Sequence, residues 1–138
     1  MNYEDRIADS ITRVCKVVFP NITNHHNTMF GGTVMEMMDE VAFMTATRFA
    51  RKSFVTVSCD KIDFKKPIPA DTIVELIGKV KYVGNTSIKV NVEIFVEEMF
   101  AESRERAVSG DFTLVAINKD KKPEKIFNGV EEITSIGK

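Results

Sequence analysis

The chain has 138 residues, 43% hydrophobic and 28% charged, and its 19 basic and 20 acidic side chains leave a formal net charge of −1. That is the size of one ordinary domain with a core of its own, and the near-zero charge argues against broad electrostatic binding to nucleic acid. No apolar run approaches the ~20 residues that span a bilayer, Met1–Asp5 lacks the basic-then-apolar opening of a signal peptide, and Cys15 and Cys59 form neither a CxxC pair nor a disulfide framework; a soluble cytoplasmic protein is expected.

Residues 1–9 are polar and read as a short helix or a loose arm. Ser10–Phe19 is rich in Val and Ile and stops at Pro20, which reads as a strand. Pro20–Asn27 is a loop of residues that bond their own backbone in turns. From Phe30 to about Arg51 the period changes. Val34, Met37, Met38, Val41 and Phe49, with Ala42 and Met44 between them, predict a helix of about six turns. Gly31-Gly32 opens it, and Arg51-Lys52 closes it with the charge that suits a helix C-terminus. Met35, Phe43 and Ala46 fall outside the first stripe, so the helix is expected to be apolar most of the way round, buried and central.

Strands follow. Phe54–Phe64 puts Val55, Val57 and Cys59 on one parity and Ile62 and Phe64 on the other, which predicts a bulge near Asp60-Lys61. Lys65–Asp71 is a loop, since Pro67 and Pro69 cannot donate to a central ladder. Thr72–Val83 is a strand with Val74, Leu76, Val80 and Tyr82 on one face, and Gly84-Asn85 turns the chain. Ile88, Val90, Val92, Ile94 and Val96 give the clearest alternation in the sequence. A charged loop near Glu97–Glu105 leads to a strand from Arg106 to Asn118 and a turn to Pro123; residues 124–138 read as a mobile tail. One strand, one long helix and four strands joined by connections too short for parallel crossovers predict a single α+β domain over residues 1–123. Its antiparallel sheet of about five strands should curl around the helix.

There is no GxSxG elbow, no P-loop and no GxGxxG after a strand. His25 and His26, adjacent in a loop, cannot build a three-histidine metal site, so no metal is expected. They read as a solvated loop, with a substrate contact as the alternative. Gly31-Gly32 before a buried helix leaves its free N–H groups approachable, as an oxyanion hole needs, or else simply caps the helix. Asp39 lies two turns inside the apolar helix. A carboxylate there is costly unless it is functional or, with Glu40, sits on a solvent or subunit edge paired with Lys or Arg.

Three blocks carry a resemblance: Asn24-x-x-Asn27-Thr28-x-Phe30-Gly31-Gly32, then Met38-Asp39-Glu40-Val41-Ala42, then Val55-Thr56-Val57-Ser58 with Asp63-Phe64. In that order and at that spacing the chain resembles the hotdog-fold acyl-CoA thioesterases of the cytosolic acyl-CoA hydrolase type, from about Arg13 to Pro123. The resemblance implies a sheet wrapped round one helix, and hydrolysis of acyl-CoA to CoA and a fatty acid. It implies no cofactor beyond the CoA of the substrate. It puts catalytic roles on Asn24 and Asp39, carbonyl-polarising amides at Gly31 and Gly32, and Thr56 near the centre. Asp39 is implied as general base or, second, as nucleophile. For CoA it points to Lys65 and Lys66, to the turn Gly84-Asn85-Thr86-Ser87, and to Arg104. Gly110-Asp111 departs from the more apolar residues usual in the last strand.

Asp39 is seven residues beyond Gly32, ~10 Å along the same helix, too far for both to serve one carbonyl. A two-fold dimer solves this, with Asn24 and the Gly31-Gly32 amides from one chain and Asp39 from the other; the family suggests a trimer of such dimers. A non-catalytic acyl-CoA sensor and a hotdog dehydratase are the alternative functions, and the second would need His25 or His26 as its catalytic histidine.

Overall fold

Asn2 caps the first helix. In the computed structural model, which describes residues 2–127, Asn2 Oδ1 accepts the Asp5 amide at 2.8 Å and starts α1, Tyr3–Ser10. Glu4 and Asp5 lie in the first turn, where negative charge suits the helix dipole, so the N-terminal arm is a helix. Then come β1 (Thr12–Val17), a 3-10 turn (Pro20–Ile22), α2 (Gly31–Ala50), β2 (Ser53–Phe64), β3 (Thr72–Val83), β4 (Ser87–Glu98) and β5 (Glu105–Ile117).

The strands form one antiparallel sheet in the order β1-β3-β4-β5-β2. α2 is the link that carries the chain from one sheet edge to the other, which leaves β1 and β2 as the edges. Its buried stripe, Val34, Met38, Val41, Ala42, Thr45, Ala46 and Phe49, recurs every three or four residues. The stripe rests on inward residues such as Leu76, Val80, Val90, Val92, Phe112 and Leu114, all within 2% of full burial. The expectation of a helix buried most of the way round is corrected: Phe43 is 47% exposed, Glu36 and Glu40 are exposed, and Met35, Met37 and Met44 are half-buried. A single sheet covers only one side of a helix. α2 lies close against the sheet at Gly78, where a Cβ would run into the Thr45 hydroxyl and lie 2.9 Å from Val41 Cγ1. Arg51 ends the helix in the left-handed conformation, φ 51.

The bulge expected at Asp60-Lys61 is present, with a register shift between Asp60 and Asp63 and φ 55 at Lys61. A second shift, between Thr56 and Ser58, has no counterpart in the sequence reading. Tyr82 does not share the inner face of β3. A shift between Val80 and Tyr82 inserts one residue, reverses the parity and buries Val83 instead.

The packed chain runs past Pro123. Glu124 N donates to Ala116 O at 2.8 Å and Ile126 N to Asn85 O at 3.0 Å, and Ile126 is 1% exposed. Phe127 meets Tyr3 edge-on at 5.5 Å and Phe49 at 5.9 Å, beneath the Arg6 guanidinium. Residues 124–127 therefore belong to the domain, because Ile126 is buried in the core and Phe127 packs against Tyr3 of α1 and Phe49 of α2. The rest of the expected tail, 128–138, lies outside the described residues.

Candidate active site

The loop ahead of α2 is built around Asn24. Its Oδ1 accepts three hydrogen bonds, from His26 N (2.9 Å), Thr28 N (3.2 Å) and Thr28 Oγ1 (3.1 Å). Backbone amides can only donate, so this identifies the oxygen and leaves the Nδ2 group with two free donors among the described residues. Asn24 N also donates to Thr28 O at 2.7 Å, and Asn27 turns the loop at φ 59. Met29 N to Ile68 O and Ala70 N to Asn27 O, at 2.9 and 2.8 Å, fasten the loop to the segment before β3. His25 and His26 are exposed, with ring centroids 3.8 Å apart; only the His26 backbone reaches Asn24. Thr28, which supplies two of the three bonds, stands in the first sequence block, where the sequence reading gives it no role. A hydroxyl residue four places after an Asn was its available signal.

The head of α2 is open. Phe30 is its N-cap without any side-chain cap, and Val34 N is the first amide bonded back, to Phe30 O at 3.0 Å. Among the described residues the amides of Gly31, Gly32 and Thr33 are therefore free at the positive end of the helix dipole. Gly31 and Gly32 are exposed, and nothing lies within 4 Å of the place a Cβ would take on either. The helix head borders a cavity of about 270 Å3 whose walls include Met29, Val34, Phe64, Ile68 and Val108.

Asp39 is half-buried on α2, and Thr56 Oγ1 on β2 donates to its Oδ1 at 2.6 Å. Among the described residues of its own chain it pairs with no lysine or arginine. Glu40 faces out. Cys59, the nearest thiol on β2, is pushed up to about 11 by burial and by the charges of Asp60, Asp39 and Asp111, which leaves it protonated and unreactive at neutral pH. The helix separates Asp39 from its own Gly31-Gly32 amides by ~10 Å.

The residues expected to hold CoA do not converge in one chain. Lys65 N and Lys66 N both donate to Ala107 O, at 2.8 and 3.1 Å, beside the cavity, and Lys66 Nζ pairs with Glu105 at 2.9 Å. The Gly84–Ser87 turn, closed by Gly84 N to Ser87 O at 2.8 Å, lies at the far end of the sheet, where Ser87 faces Val115. Eight residues of β5 separate the two places, ~26 Å. Arg104 is already engaged. It bonds Glu75 and Glu97 at 2.7 Å each and stacks 4.3 Å over Phe95, and these partners hold its guanidinium above the usual arginine range. Arg104 is thus paired on the outer sheet face and still 40% exposed. Asp111, the departure noted in the last strand, is 2% exposed and bonded by Lys81 Nζ (2.9 Å) and Asn91 Nδ2 (3.0 Å).

A family model described as the thioesterase superfamily matches residues 26–99, which takes in most of this constellation. The chain belongs to the thioesterase superfamily. Within it, an uncharacterised acyl-CoA thioester hydrolase of Bacillus subtilis is 38% identical over 129 residues, 88% of this chain and 75% of that protein. The chain spans 60% of the length of another relative, VdlD of Helicobacter pylori. An acyl-CoA hydrolase of Staphylococcus aureus, solved with butyryl coenzyme A, coenzyme A and coenzyme A disulfide, superposes with TM-score 0.82 at 38% identity, over 86% of this chain and 73% of that one. That enzyme has also been solved with an asparagine, an aspartate or a threonine changed to alanine, at positions successively 15 and 17 residues apart. A hexameric thioesterase of Yersinia pestis superposes with TM-score 0.75 at 30% identity, over 81% of this chain and 91% of that one. The sheet and helix of the hotdog fold are common ground with these neighbours.

Proposed function

We propose that this superfamily member hydrolyses acyl-CoA thioesters to free CoA and a carboxylic acid, in a site shared by two protomers. Asp39 carries the reading: a half-buried carboxylate held by the Thr56 hydroxyl, with no neutralising cation among the described residues of its chain, on the helix that begins at Gly31-Gly32. Asn24, Asp39 and Thr56 stand 15 and 17 residues apart, the spacing of the three positions changed in the Staphylococcus enzyme, which supports giving them the catalytic roles.

In this mechanism the Gly31 and Gly32 amides hold the thioester oxygen, where the helix dipole favours the negative charge that develops as the carbon becomes tetrahedral. The free Asn24 amide donates to the carbonyl or orients the attacking water. Asp39 of the partner subunit takes the water proton; the C–O bond forms, the C–S bond breaks, and the CoA thiolate recovers a proton. Thr56 fixes the orientation of Asp39. The amides and the base must come from different chains, since one helix separates them by ~10 Å. A dimer is the minimum, and the Yersinia hexamer supports a trimer of dimers.

Exposed Lys65 and Lys66 offer positive charge for the CoA phosphates, and the Gly84–Ser87 turn can join them only from another protomer. No cofactor, nucleic acid or membrane partner enters the scheme, and the expected compartment is the cytoplasm; among the described residues no helix is long and apolar enough to cross a membrane. Titrating free thiol over a panel of acyl-CoAs tests the reading. An enzyme releases thiol with turnover. A sensor binds without release, and a dehydratase changes enoyl absorbance while the thiol stays esterified.

A further inference from the structure

The cavity at the head of α2 has walls from three elements: Val34 on α2, Val108 on β5 and Phe64 on β2, the last two paired directly across the ladder. Four residues along a helix advance ~6 Å and two along a strand ~6.6 Å, so one step inward on all three elements arrives at a common layer. That layer is Met38, Gly110 and Ile62. Gly110 has no side chain, and the space its Cβ would fill is taken by Ile62 Cδ1, with Met38 Cε 3.4 Å from the same point. Met38 and Gly110 are buried and Ile62 half-buried. Ile62 points inward because the bulge at Lys61 resets the parity of β2 just before it.

We propose that Ile62, seated in the gap that Gly110 leaves and backed by Met38, is the floor of the acyl pocket and sets the length of acyl chain the enzyme accepts. The inference rests on the thioesterase reading. With the carbonyl at the Gly31 and Gly32 amides, the acyl chain runs between Val34, Phe64 and Val108 and stops at Ile62. Met38, which backs that floor, is six residues beyond Gly32, ~9 Å along the helix axis. A chain of limited length fills that depth, so short- to medium-chain acyl-CoAs are preferred over long ones. The unusual glycine in the last strand is what admits the floor.

The test is the hydrolysis profile over straight-chain acyl-CoAs from acetyl to palmitoyl, read as free thiol, for the full chain and for the variants Ile62→Ala and Gly110→Ala. Ile62→Ala removes the floor, and kcat/KM for a chain two carbons beyond the wild-type optimum rises about tenfold or more relative to that optimum. Gly110→Ala puts a methyl where Ile62 Cδ1 now sits, drives Ile62 toward the cavity and moves the optimum to shorter chains. In the double variant the Gly110→Ala effect disappears, since no Cδ1 remains to displace. Should Ile62→Ala fail to fold, Ile62→Val carries the same direction with one methyl fewer. Profiles that coincide in every variant, with thiol released normally, overturn the floor. Absence of thiol release from every acyl-CoA with unaltered protein removes the thioesterase reading itself.

Discussion

Replacing Lys81 by methionine is expected to destabilise the fold by about 1–2 kcal/mol at pH 7 and by less near pH 3. Asp111 is 2% exposed, and its two oxygens have one side-chain donor each, Lys81 Nζ at 2.9 Å and Asn91 Nδ2 at 3.0 Å. Removing one partner of a fully buried ion pair typically costs ~3–5 kcal/mol, because the other charge is left stranded. Lys81 is itself 42% exposed, so solvent screens the pair and can replace part of it, which lowers the figure to ~1–2 kcal/mol. Methionine keeps the apolar stem that covers the carboxylate. The pH dependence separates lost charge pairing from lost packing. Burial pushes the Asp111 carboxyl up, but the Asn91 and Lys81 hydrogen bonds and the charges of Lys81 and Lys61 outweigh it and hold the group below the usual carboxylate range. A group lowered in the native state stabilises it above the unfolded value of ~3.9, and that contribution vanishes as pH falls through the native value. Without Lys81 two of the lowering causes are gone and the native value rises, so ionised Asp111 contributes less to folding at neutral pH. Urea unfolding of both proteins at pH 7 and near pH 3 reads the difference, and in a chain of this size each kcal/mol shifts Tm by ~3–5 °C. A destabilisation of equal size at both pH values refutes the reasoning.

Gly78→Ala forces a methyl against the Thr45 hydroxyl and Val41 and should destabilise by ~1–3 kcal/mol; an unchanged urea midpoint would show that α2 does not seat there. Asp39→Asn keeps the Thr56 hydrogen bond and the shape of the side chain but removes the base. Thiol release should fall ~10²–10⁴-fold with the unfolding midpoint within ~0.5 kcal/mol of wild type, and retained turnover would dismiss Asp39 as base. With iodoacetamide at pH 8, exposed Cys15 should be alkylated well before Cys59, whose thiol is held protonated up to about 11 by burial and by Asp60, Asp39 and Asp111; peptide mass analysis showing equal rates would contradict that.

β4 could be read directly from the sequence, because Ile88, Val90, Val92 and Ile94 all face one core and the period of two survives unbroken. α2 was legible to within a residue at each end, since its flanking residues, Phe30 and Arg51, are the caps. What failed was parity after a bulge. Nothing in Lys81-Tyr82-Val83 marks the inserted residue that exchanges Tyr82 for Val83, whereas at Asp60-Lys61 apolar residues on both sides exposed the switch. The outer side of α2 misled for a different reason: Phe43 and the half-buried methionines are apolar, but apolarity alone does not say what covers them. In the site, the contact between Thr56 and Asp39 joins residues 17 apart on different elements, which no local pattern encodes. Basic and turn residues near Lys65 and Gly84 look alike in sequence; only the ladder register puts them at opposite ends of the sheet.

The shared site is most directly tested by subunit exchange. Asn24→Ala and Asp39→Ala chains are prepared separately, each nearly inactive, then mixed in equal amounts under conditions where labelled subunits are seen to exchange. If the amides and Asn24 of one chain serve the Asp39 of its partner, half of the randomly formed dimers are mixed, and each mixed dimer holds one intact site of its two. Thiol release should recover to about a quarter of the wild-type rate by that pairing statistic. A mixture that exchanges fully and stays as inactive as its components would place each site within a single chain and contradict the account.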